Sequence, residues 1–239
     1  MKVIAIANQK GGVAKTTTTH NLGAAMAAAG KRVLLIDLDS QASLTISVGL
    51  EPLEVERTIV DVLRKDGTPL MECVQQLSDR LHIVTSIIDL APMEMELLSR
   101  ASREKILDRA LREARGQYDY ILIDCPPSLS LVTINALVAA DAVIVPLQCE
   151  FLALEGITDL IRNINQIKKK FNPKLELQGV VLTMYDKRNN LTQMVEDDVR
   201  SFFGKKVYQT VIPRNVRISE APSHGKPVLI YDFKCCLLY

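Results

Sequence analysis

Short, almost unbroken aliphatic runs alternate with longer stretches of helical period along the chain. The runs are residues 2–8 (KVIAIAN), 32–39 (RVLLIDLD), 81–86 (LHIVTS), 118–126 (YDYILIDCP), 141–147 (DAVIVPL), 177–185 (LQGVVLTMY) and 206–213 (KVYQTVIP). A strand with one wet face alternates apolar and polar residues, whereas a strand covered on both faces reads as these do. Helical period occupies 16–29, 58–65, 94–115, 129–140, 153–170 and 191–203, with Gly30 and Gly116 placed to end the first and third. This alternation predicts an α/β fold, a doubly wound, mostly parallel sheet flanked by helices and joined by right-handed crossovers. Ligands of such sheets bind beyond the carboxyl ends of the strands.

At 239 residues and 48% hydrophobic, the chain can bury a large core, and a single domain over 1–239 is expected. Lys plus Arg (29) nearly balances Asp plus Glu (28), so overall charge names no polyanion partner. The distribution is uneven: from residue 160 onward fourteen basic side chains face seven acidic ones, which suits a polyanion there. The five cysteines lack metal-ligand spacing, and Cys235 and Cys236 are adjacent. No apolar run reaches the length of a membrane span, and the opening residues enter a strand with no leader pattern. A reduced, cytoplasmic protein is the expectation.

Three strand ends carry chemistry. After the first run comes KGGVAKTT (10–17), a strand–turn–helix order that aims backbone N–H groups and a positive helix end at an anion. Against the usual G-x-x-x-x-G-K-[ST] spelling, Gln9 and Ala14 fill the glycine slots and Lys10 is extra. Gly11 and Gly12 allow close backbone approach, Lys15 would neutralise phosphate charge, and the Thr16 hydroxyl suits Mg²⁺. Ala14 fits such a turn only if its φ stays negative. ILIDCPP (121–127) ends a strand in Asp124, which can hold Mg²⁺ directly or through water. LLIDLDSQ (34–41) ends another in Asp37 and Asp39, carboxylates able to bind metal or orient an attacking water.

With these three segments in this order, the chain resembles the deviant-Walker-A ATPases of the ParA/Soj/MinD group, and within it the ParA/Soj partition ATPases. The resemblance extends through RVLLIDLDSQASLT, YDYILIDCPPSLSLVTINAL, ADAVIVPLQCEFLALEG and VIPRNVRISEAPSHGKPV. It implies a P-loop NTPase fold of the deviant Walker A type, with ATP/ADP and Mg²⁺ as cofactors and slow intrinsic turnover. The nucleotide would lie against Lys10, Gly11, Gly12, Val13, Ala14, Lys15, Thr16 and Thr17, with Pro213 and Asn215 in the segment lining the adenine. Lys10 matches the signature lysine that crosses a nucleotide-sandwich homodimer to the partner's phosphates. Asp39 matches the switch I aspartate needed for hydrolysis, and Asp124 matches Walker B. Thr16, Asp124 through water and Asp39 form the metal set.

The resemblance also implies partners: a second copy, non-specific DNA, and a ParB/Spo0J-like protein that stimulates hydrolysis, hence a nucleoid-associated location. Arg188 and Arg217 match DNA-contacting arginines; Lys205 and Lys206, with Lys168, Lys169 and Lys170, add basic candidates. The alternative is a scaffold that positions another cargo, MinD-like or of the chemosensory-cluster kind. The MinD branch docks on membranes through an amphipathic tail helix, and the tail here, YDFKCCLLY, has no such period, so no membrane partner is expected. Nitrogenase iron proteins share the loop type, but the residues around Cys125 and Cys149 do not match them, and buried structural thiols are expected instead. Two further departures from the family are Ser40, in place of a proline after Asp39, and a final helix that looks shortened.

Overall fold

The computed structural model describes residues 1–150 and 153–233. Cys235 and Cys236, with the end of the expected tail, lie outside the described residues. The strands are β1 (Lys2–Ile6), β2 (Val33–Asp37), β3 (Val74–Ser78), β4 (Leu81–Val84), β5 (Tyr120–Asp124), β6 (Ala142–Gln148) and β7 (Glu176–Thr183). The helices are α1 (Lys15–Ala28), α2 (Ser43–Ser47), α3 (Ile59–Leu63), α4 (Leu90–Leu98), α5 (Ile106–Ala110), α6 (Leu131–Ala139), α7 (Ala153–Lys170), α8 (Asn190–Phe203), α9 (Val216–Glu220) and α10 (Val228–Tyr231). The strands form one sheet in the order β3-β4-β2-β5-β1-β6-β7, parallel throughout except for β3, which runs antiparallel to β4.

The unbroken aliphatic spelling of the strands has a direct structural cause. Alternate residues of one strand feed two different cores: Val3 and Ala5 enter the core on one face, Ile4 and Ile6 the core on the other. Each fully buried aliphatic side chain contributes about 1.5–3 kcal/mol. α1 covers the second face closely; a Cβ on Gly23 would come within 2.6 Å of the Leu35 side chain. The sheet therefore fixes the strand tips in register, with Asp124 opposite both Ile6 and Asp37.

Three expectations change. β3, spelled VQQLS, escapes the sequence reading because an antiparallel edge strand buries little and reads as polar. Residues 206–213 do not form a strand. The amides of Tyr208 and Ile212 bond to the carbonyls of Val180 and Leu182, so four residues on one side span two on the other and the chain between loops out. Helical period over 94–115 is interrupted, with Ser102 in the left-handed region at φ 52°. Asn135, from α6, receives the Leu107 amide and donates to the Arg103 carbonyl, satisfying the backbone groups that the break exposes.

Candidate nucleotide site

The loop 8–14 is held in place from three sides. Asn8 donates through Nδ2 to the Pro146 carbonyl (2.7 Å) and accepts the Lys10 amide on Oδ1 (3.0 Å). Thr183, at the tip of β7, donates to the Val13 carbonyl (3.1 Å). Lys15 folds back so that Nζ donates to the Lys10 carbonyl at 3.0 Å. Gly12 has φ 72° and no atom within 4 Å of where a Cβ would stand, so this stretch of loop is open as well as turned. At the start of α1, Ala14 supplies no side-chain cap and the first turn has no acid, which leaves the helix amides facing outward.

Ala14 overturns its expectation: φ is 67° and ψ 35°, in the left-handed region. A Cβ there costs about 1–2 kcal/mol, and the loop carries that strain because its neighbours are anchored on both sides. Replacing Ala14 with glycine relieves the strain but gives the unfolded chain more freedom. The net expectation is a stabilisation of about 0.5–1 kcal/mol, raising the thermal midpoint by roughly 2 °C. A lower midpoint for Ala14→Gly would show that the alanine is not strained.

Behind the loop sits a compact polar cluster. The Thr16 hydroxyl donates to Asp124 Oδ2 at 2.7 Å, and the Thr19 hydroxyl reaches Asp124 Oδ1 at 3.2 Å. Asp124 and Asp37 are both buried on adjacent strand ends. Burial raises the pKa of Asp124 well above the usual carboxylate range, and the Asp37 charge adds to this against the two threonine hydroxyls and Lys15. Burial likewise raises Asp37, opposed by bonds from Thr45 and Asp39. Burial lowers the pKa of Lys15, an effect that Asp124, Cys125 and Asp39 oppose. Two buried acids and one cation lie together here, a setting in which a divalent cation would favour the charged carboxylates.

The two aspartates of the LLIDLD segment separate by role. Asp37 is fully buried and accepts three bonds, from the Asp39 amide, the Thr45 amide and the Thr45 hydroxyl. Asp39 is partly exposed, and its Oδ1 accepts the Gln41 amide at 3.0 Å. Lys10 reaches outward, and its ammonium pairs with Glu150, just past β6. Glu150 was not legible as a partner, because the pair spans 140 positions.

Pro213 lines a cleft of about 650 Å³ with Tyr185, Asp186, Lys187, Arg188 and Arg214. Pro213 bridges Tyr185, and Asn215 caps α9 by accepting the Arg217 amide at 2.8 Å. The basic candidates fall into two groups. Arg188 lies beyond the end of β7, paired with Asp186, and Arg217 sits on α9, paired with Glu220 and Asp232. Arg214, which sequence reading missed, joins the first group. Lys206 donates to the Leu177 carbonyl near the opposite end of β7, with Lys205 beside it, and Lys168, Lys169 and Lys170 end α7.

The residues present fit a magnesium nucleotide. Open loop amides, a buried lysine and a hydroxyl–carboxylate pair supply the anion and hard-cation chemistry such a ligand needs. Among the described residues no group of three His, Cys, Asp or Glu side chains could hold a metal ion. Cys73, Cys125 and Cys149 are buried and free. Among the described residues no helix is long and apolar enough to cross a membrane.

Known proteins are similar to this chain. Residues 1–177 match a family model described as an AAA domain. The chain is 54% identical to the chromosome partitioning protein ParA of Caulobacter vibrioides, covering 98% of this chain and 89% of that one. It is 50% identical to the sporulation initiation inhibitor protein Soj of Bacillus subtilis, covering 97% and 91%. Among solved structures, a Mycobacterium smegmatis protein named cobyrinic acid a,c-diamide synthase, with bound ADP and magnesium, superposes with a TM-score of 0.86 at 40% identity, covering 98% and 96%. With its seven-stranded sheet, its lysine-bearing loop and relatives of this identity over nearly its whole length, the chain belongs to the ParA/Soj family of P-loop partition ATPases.

Proposed function

We propose that this chain is a single ATPase domain that uses Mg²⁺-ATP to clamp onto DNA as a homodimer and releases it on hydrolysis. The observation carrying this reading is the meeting of Lys15, Thr16 and Asp124 at the carboxyl ends of β1 and β5. The amides of residues 11–17 would hold the phosphates, and Lys15 would neutralise them. Thr16 and, through water, Asp124 would hold Mg²⁺, which supplies charge neutralisation for phosphoryl transfer. Asp39, the exposed carboxylate of its pair, would orient the attacking water and is the remaining candidate for the metal. The cleft beside Pro213 and Asn215 would take the adenine.

Lys10 would reach the nucleotide of a second copy. Its present partner Glu150 is solvent-exposed, and such a pair is worth about 0–1 kcal/mol, so a triphosphate competes with it easily. Arg188 and Arg217 would hold DNA by its phosphates, with Lys205 and Lys206 adding a separate contact near the opposite end of β7, and pairing two copies doubles these basic surfaces. A ParB/Spo0J-like protein would complete the geometry for hydrolysis, placing the protein on the nucleoid in the cytoplasm. The Mycobacterium structure has a synthase name, but the relatives named for partitioning are more similar in sequence and support the partition reading.

The test is retention on DNA–cellulose. Retention is expected with Mg²⁺-ATP and is expected to fade steeply as salt rises. Equal retention with ADP, or none at low salt, would contradict the reading.

A further inference from the structure

Asp39 stands on a short turn between β2 and α2, closed locally by the Gln41 and Ala42 amides, which donate to Asp39. α2 has only five residues, and Ala42 before it takes φ 52° with no side-chain cap. Helices that short do not persist in water without tertiary anchors, and a left-handed alanine adds strain. Leu44 packs into the core, and the polar anchor is Thr45, which is fully buried. Its hydroxyl donates to Asp37 Oδ2 at 2.8 Å and accepts the Ser86 amide at 3.0 Å, while its own amide donates to the same Asp37 oxygen at 2.9 Å. Asp37 Oδ1, the other oxygen, accepts the Asp39 amide at 3.1 Å.

From this geometry we infer that Thr45 is a positioning residue for Asp39, acting through the buried Asp37 carboxylate. The inference rests on reading Asp39 as the group that hydrolysis needs. A threonine suits the post because one hydroxyl serves as donor to Asp37 and acceptor from Ser86, tying the turn to the segment after β4. Valine has nearly the same shape and can do neither. Losing the hydroxyl frees one end of the relay without touching the loop that faces the phosphates, so water orientation suffers while nucleotide binding does not.

Thr45→Val is expected to lower kcat by about tenfold or more with KM for ATP unchanged within a few-fold, since small displacements of a reacting group are costly. Thr45→Ser keeps the hydroxyl and is expected to restore most of the rate. Asn172→Ala, which removes two buried carbonyl contacts near the opposite end of the sheet, controls for lost stability and is expected to leave kcat of the folded protein unchanged. In an Asp39→Ala background, Thr45→Val is expected to cause no further loss, because the positioned group is gone. Amide hydrogen exchange at Asp39 is expected to speed up in Thr45→Val and not in Thr45→Ser. Three results would overturn the inference: a rate no lower than the control's, a KM that rises with the fall in kcat, or a further loss on top of Asp39→Ala. If the unmodified protein hydrolyses no ATP, the reading of the site fails instead, and exchange at the Asp39 amide then decides the positioning by itself.

Discussion

Asp39→Ala is expected to lower ATP turnover by about 100-fold or more, the usual scale for loss of a positioned proton acceptor. Affinity for ATP is expected to stay within a few-fold, because the Asp39 side chain accepts the Gln41 amide of its own turn and takes no part in the Thr16–Asp124 contact. On the proposed function the Asp39→Ala protein is then expected to stay ATP-bound, with DNA retention outlasting that of the unmodified protein. Phosphate release and DNA retention, measured on the same preparation, check both halves. Turnover at the unmodified rate would remove Asp39 from the chemistry.

Lys15→Ala is expected to act on binding instead. Lys15 is the buried cation of the loop, held against the Lys10 carbonyl and near both Asp124 and Asp39. Truncating one partner of a buried charged contact costs about 2–5 kcal/mol, which corresponds to a loss of ATP affinity of roughly 30-fold to more than 1000-fold. The fold is expected to survive, because Asp124 keeps the bonds from the Thr16 and Thr19 hydroxyls and its raised pKa lets it take up a proton when the ammonium is gone. Calorimetric titration with ATP, alongside a thermal melt, separates the two effects. ATP binding within threefold of the unmodified protein would show that the phosphates do not lie beside Lys15.

Six of the seven strands were legible because parallel strands buried on both faces spell themselves in continuous aliphatic residues. β3 was not, because its spelling follows a half-wet edge, and residues 206–213 misled because β-branched composition carries no information about register. Helical period over 94–115 could not reveal a break whose satisfaction comes from Asn135 on another helix. The loop, the ILIDCPP segment and the DLD segment stood out because each sets polar residues at or just past the end of a buried strand, as the structure has them. What sequence could not divide was labour within the motif: Asp37 and Asp39 look alike in spelling, and only packing buries one beneath Thr45. Nor could it reveal the backbone of Ala14, or join Lys10 to Glu150 beyond the ends of the neighbouring strands β1 and β6.

The central claim is that Lys10 acts on a nucleotide bound by a second copy of the chain. Its direct measurement is molar mass by light scattering for the Asp39→Ala protein with Mg²⁺-ATP, with and without a second substitution, Lys10→Ala. A mass twice that of one chain is expected for Asp39→Ala with ATP, falling to that of one chain with ADP. With Lys10→Ala added, the single-chain mass is expected even at saturating ATP, while ATP itself still binds. A Lys10→Ala protein that pairs as fully as its parent would contradict the account.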